Sequence, residues 1–154
     1  MSHAYAAGFS RAGINTANSP VVNLNNTATS SRLYILEVGV GVATAPTTAP
    51  SFYLSRATAR GTQTATLTGQ PLDPAEVAAI GTLDSTWSAN PTFSTTNFIT
   101  RGGLAVTAGG FMVWTFYDHP LIVPATVGAG VTLANANASG ATLGLFTGYF
   151  KWEE

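Results

Sequence analysis

The sequence predicts an all-β protein built as a sandwich, and three observations carry that expectation. Apolar residues recur at every second position over residues 33–42, the period of a strand with two distinct faces. Short apolar runs are separated along the chain by Gly, Pro, Asn, Ser and Thr, the residues that build turns. Helix start signals gather in one place only, residues 73–80.

Residues 1–31 hold Gly, Asn, Ser, Thr and Ala with little apolar periodicity, apart from Val21, Val22 and Leu24. They read as an extended N-terminal arm whose three apolar residues order against a neighbouring subunit, with a disordered terminus as the plainer alternative. The sandwich domain is expected over residues 32–154. Its first strand, 33–42, places Tyr34, Leu36, Val38, Val40 and Val42 on one face and Ile35, Glu37, Gly39 and Gly41 on the other. Glycines on the second face leave room for a packed ring, and Glu37, isolated within a strand, needs a cationic partner. Arg56, on a second strand at 52–57, is the candidate for that ion pair. A third strand follows at 62–67. Asp73 then suits a helix N-cap, Pro74 the first helical position and Glu76 a capping box, so a short helix is expected before Gly81. Further strands are expected at 82–87, 97–101, 111–117, 120–123, 131–134 and 143–152.

Composition narrows the function. Charged residues make up 8% of the 154, where a soluble domain carries roughly 25%. Interface cores are depleted in charge, so such a chain suits a subunit tiled against copies of itself or a larger partner. A net charge of −1 supplies no field for nucleic acid or an anionic membrane, and the basic residues are scattered singly. No Cys is present, so neither a disulfide framework nor a thiolate site can form. The first residues lack the pattern of a signal peptide, and no apolar run approaches the roughly 18 residues that cross a bilayer, which predicts a soluble chain made in the cytoplasm.

Catalytic chemistry is sparse. His3 and His119 are the imidazoles, and Asp118-His119-Pro120 reads as a turn, because adjacent strand residues point to opposite faces. The Gly-rich run 124–130 lacks both the Lys-Ser/Thr ending of a P-loop and a strand-to-helix context. No ligand spacing supports a metal site. The expectation is a protein that is not an enzyme and uses no cofactor or metal.

Large apolar groups on both faces of the last strand set Leu143, Leu145 and Tyr149 against Phe146, Phe150 and Trp152. A sandwich strand ordinarily buries one face, so Tyr149 and Trp152 are expected at a subunit interface. Trp87, flanked by Ser85, Thr86, Ser88 and Asn90, is the most exposed-looking indole, and offers a stacking platform for sugar rings as the alternative function.

Ile35-Leu36-Glu37-Val38-Gly39, Leu54-Ser55-Arg56-Ala57-Thr58, Gly61-Thr62 and Leu72-Asp73-Pro74 resemble small proteins encoded near the capsid genes of tailed bacteriophages. His119-Pro120-Leu121-Ile122-Val123-Pro124, Val131-Thr132-Leu133 and the closing Gly148-Tyr149-Phe150-Lys151-Trp152-Glu153-Glu154 are similar to that group's last strands. The resemblance implies a jelly-roll cement or decoration protein of the virion: a homotrimer on the outer capsid surface, with the major capsid protein as partner and no catalytic residues. The N-terminal arm lies outside the resemblance. The alternative remains a carbohydrate- or receptor-binding virion module, and neither reading involves nucleic acid or a membrane.

Overall fold

A computed structural model describes residues 3–12, 14 and 16–154 and is all-β. Two antiparallel sheets pack face to face. The strands are β1 (Ala4–Ala12), β2 (Pro20–Asn26), β3 (Leu33–Val42), β4 (Ser51–Ala59), β5 (Thr62–Thr68), β6 (Gln70–Pro71), β7 (Gly81–Ala89), β8 (Thr92–Phe93), β9 (Thr100–Gly103), β10 (Phe111–Thr115), β11 (Leu121–Val123), β12 (Gly130–Asn135) and β13 (Leu145–Glu153). The first sheet runs β10-β3-β13-β1-β6, with β11 continuing β10 along the edge of β3. The second runs β5-β7-β2-β12-β4-β8, with β9 also pairing β4.

Between the sheets lies one apolar core, to which the first sheet gives Tyr5, Phe9, Val38, Val40, Phe146, Phe150 and Trp152, and the second Leu24, Leu54, Leu83, Val131 and Leu133. Along β3 the inward set changes parity. Lys151 faces Glu37 while Trp152 faces Ile35, so Leu36 is the extra residue of a bulge. Leu33 and Ile35 point inward before it, and Val38, Val40 and Val42 after it. Uniform alternation had placed Ile35 on the outer face; the bulge returns it to the core.

The expected arm is largely part of the fold. β1 lies between β13 and β6, and β2 between β12 and β7, with Val21, Val22 and Leu24 fully buried. These three residues serve the chain's own core, not an interface. Residues 1, 2, 13 and 15 of that segment lie outside the described residues. The expected helix does not form. Asp73 caps a single turn, its Oδ1 accepting from the Ala75 amide at 3.0 Å and its carbonyl from Glu76 at 3.0 Å. Beyond it the backbone bonds elsewhere: the Val77 carbonyl accepts from the Tyr5 hydroxyl, and the Ile80 and Gly81 amides donate to the Glu154 carboxylate. Eight residues are too few to hold a helix against such partners.

The second sheet is strongly curled. Arg60 and Gly61 alone join β4 to β5, although β7, β2 and β12 stand between them in hydrogen-bonded order. Flat strands at about 4.8 Å spacing would separate β4 and β5 by about 19 Å. Three Cα steps span at most about 11 Å, so the sheet bends until its ends meet. Gly61, at φ +75°, makes the turn against Ala89 and Asn90, where a Cβ would come within 2.3 Å of the Ala89 carbonyl oxygen.

Candidate functional site

The outer face of the first sheet is open. Strand register sets three rows across it: Phe111, Gly41, Thr147 and Ser10; Val113, Gly39, Tyr149 and Gly8; Thr115, Glu37, Lys151 and Ala6. Small residues on β1 and β3 keep most of this face flat. The Tyr149 and Phe111 rings lie over Gly39, where a Cβ would come within 2.5 and 2.8 Å of them, and stack on each other at 6.1 Å between centroids. Phe111 is 49% exposed and Tyr117 50%, with Val113 and Ile122 beside them also exposed. Together they make an apolar and aromatic strip along the β10–β11 edge.

One polar cluster sits within this strip. Glu37 accepts hydrogen bonds from the hydroxyls of Tyr149 and Tyr117, the latter at 2.7 Å. Lys151 donates to the Tyr117 hydroxyl at 3.5 Å and lies 5.5 Å from its ring centroid. The Tyr149 bond first, then that of Tyr117, holds the Glu37 carboxyl below the ordinary carboxylate range. Tyr149 is pushed up to about 12, chiefly by burial and then by its bond to Glu37. The Tyr149 phenol therefore stays a protonated donor at neutral pH, and the Glu37 carboxylate is internally satisfied. The cluster fixes the Tyr117 and Tyr149 rings in place.

The Glu37–Arg56 ion pair is not formed. Glu37 faces away from the second sheet, to which Arg56 belongs, and the Arg56 guanidinium bonds the Ile122 carbonyl instead. Asp84 and Arg60 carry the buried pair. Arg60 grips Asp84 through Nε at 2.7 Å and Nη2 at 2.8 Å, and Thr66 and Asn25 donate to the same carboxylate. Asn25 is joined to Asn23, and Asn23 to Thr132, so the network crosses β7, β2 and β12 on the side away from the sandwich core. The β4–β5 turn closes over it. Its sequence signal is the alternation Val22-Asn23-Leu24-Asn25, a strand pattern whose polar half is also buried.

Trp152 is not an interface residue. It is fully buried, stacks on Tyr5 at 6.0 Å and donates to Glu154. Tyr149, on the opposite face of β13, is half-buried within the aromatic strip. Trp87 is not a free platform, because the Arg11 guanidinium lies 5.7 Å from its ring centroid. At the β10–β11 turn a concavity of about 380 Å³ is lined by Thr115, Phe116, Tyr117, Asp118 and His119. Among the described residues no three His, Cys, Asp or Glu side chains converge as metal ligands would.

Fold and face define a class: an antiparallel β-sandwich with one aromatic, nearly uncharged outer sheet surface. No protein-family model, curated protein or solved structure matches the chain.

Proposed function

We propose that this chain is a structural virion protein without catalytic activity, a cement or decoration subunit. In this proposal it forms a homotrimer, binds the outer surface of a viral capsid through the major capsid protein, and stabilises the capsid lattice. It is made in the host cytoplasm and resides in the virion. The carrying observation is the outer face of the first sheet, where Phe111, Val113, Tyr117 and Ile122 are exposed while the charges of Glu37 and Lys151 are engaged beside them. An interface core has this composition: aromatic, apolar and poor in free charge. Crossings between the two sheets at β1–β2, β2–β3, β3–β4 and β12–β13 support a jelly-roll winding rather than two separate meanders. A subunit that binds only the assembled lattice stabilises it by mass action, and three linked copies multiply weak contacts.

The test is co-sedimentation with expanded capsids, together with light scattering of the free protein. Val113→Asp is expected to abolish capsid binding and keep the melting temperature, since its side chain is exposed on the outer face and is not part of the Phe111–Tyr149 stack. A wild-type protein that neither self-associates nor sediments with its cognate capsid would overturn the proposal. The concavity beside Tyr117, with Asp118 and His119 at its wall, favours a second reading as a carbohydrate- or receptor-binding virion module. That reading requires saturable glycan binding that disappears in Tyr117→Ala.

A further inference from the structure

Where β1 and β7 face each other between the sheets, a guanidinium stands without an acid. Arg11 continues the inward series of Tyr5, Ala7 and Phe9 on β1 and lies opposite Phe146 in register. On β7, Asp84 faces Thr66 while Thr86 faces Ala65, so Ser85 is the extra residue of a bulge and Trp87 follows two residues beyond it. The two side chains meet with Arg11 Cζ 5.7 Å from the indole centroid. At this contact Arg11 Nη1 and Trp87 Nε1 are both sealed from solvent, and neither has an acceptor among the described residues.

Buried donors are nearly always paired in folded proteins, so two orphans at one contact call for a shared acceptor. The contrast with Arg60 is direct. Arg60 is held charged by its hydrogen bonds to Asp84, whereas burial lowers the pKa of Arg11 and no carboxylate counters it. We infer that Arg11 and Trp87 form a binding site for a carboxylate group, with Arg11 Nη1 and Trp87 Nε1 as its two donors. A carboxylate is planar, carries two acceptor oxygens and bears one negative charge, which matches one guanidinium and one neutral N–H. A phosphate dianion would bring a second charge with no second cation to meet it. A neutral sugar would leave the guanidinium uncompensated.

The carboxylate comes either from an acidic side chain or chain end of a protein partner or from a small free acid. Binding at this site does not depend on the outer face of the first sheet, so it stands or falls apart from the capsid proposal. The experiment follows the three indole N–H resonances of the ¹⁵N-labelled full chain, with Trp87 assigned by its loss in Trp87→Phe. Sodium acetate is titrated against sodium chloride at equal ionic strength. In parallel, a short peptide with a free C-terminal carboxylate is titrated against its amide. A saturable shift of the Trp87 resonance with acetate, absent with chloride, is expected, and Arg11→Gln is expected to weaken it by about tenfold or more. A peptide that binds more tightly than acetate, with its amide inert, identifies a protein-borne group; equal affinities identify a small acid. No saturable shift, or the same affinity in Arg11→Gln, overturns the inference. Should Arg11→Gln fail to fold, Arg11→Lys keeps the charge without the planar fork, and undiminished affinity in that variant overturns it equally.

Discussion

Asp84 is shut off from water, so its stability rests on the donors around it. Removing the Arg60 guanidinium leaves a buried carboxylate with only Asn25 and Thr66 to answer it. Arg60→Met is expected to destabilise by about 3–5 kcal/mol, with a large part recovered when Asp84→Asn is added. A double-mutant cycle by urea unfolding reads this coupling, and additive effects would remove the pair from the account. Glu37 gives a pH signature instead. Its folded carboxyl titrates below the ordinary value, so its contribution is present above about pH 4.3 and is lost as pH falls through the lower folded value. Glu37→Gln is expected to cost about 1 kcal/mol at pH 7, read as a drop of about 2–4 °C in Tm. The gap between variant and wild type should narrow as pH falls below about 4.3. A gap unchanged over that range would mean that the ionised Glu37 carboxylate is not the source of the difference.

At the scale of elements, β1 decides whether the first sheet exists. Nine residues of β1 pair with β13, and the Tyr5 ring covers Trp152. Deleting residues 1–12 would expose Trp152 and Phe150, so the truncated chain is expected to lose cooperative thermal unfolding. An arm peripheral to the domain would leave that transition intact, and calorimetry separates the outcomes. β13 carries a second test at Gly148, which faces Phe9 in register and accommodates its ring. A Cβ there would lie 2.1 Å from the Gly39 carbonyl oxygen, a backbone atom that cannot swing aside. At Gly8, one residue along on β1, the nearest atom would be 3.6 Å away. Gly148→Ala is therefore expected to destabilise by about 1–3 kcal/mol and Gly8→Ala by less than about 0.5, compared by chemical denaturation.

For the whole molecule, a net charge of −1 and an outer face on which Glu37 and Lys151 are internally bonded leave little long-range electrostatic steering. Attachment to a capsid would then depend on shape and apolar contact. Affinity is expected to change less than about threefold between 50 mM and 500 mM salt, measured by co-sedimentation. A steep fall with salt would point to an ionic interface elsewhere on the protein.

The all-β class and most strands of residues 33–154 are legible along the chain, because a half-buried strand writes its faces into a period of two. The sequence also places Tyr149 opposite Phe146, Phe150 and Trp152, since parity along β13 is unbroken. Where those faces go depends on how the two sheets pack. β1 is hard to read along the chain because its inward residues include Ala7 among small neighbours, which leaves Tyr5 and Phe9 as the faint trace of a period. β2 is equally obscure, because Asn23 and Asn25 look solvent-facing until the curl of the second sheet encloses them. The helix at 73–80 had its start signals, but tertiary hydrogen bonds to Tyr5 and Glu154 claimed its backbone. Glu37 and Arg56 occupy different sheets, and Arg60 meets Asp84 through a bend between strands that are distant in the sheet. Local period and capping chemistry are properties of neighbouring residues and can be read along the chain. Partners across a sandwich depend on bulges and curl that sum over many strands, and are fixed only when those strands assemble.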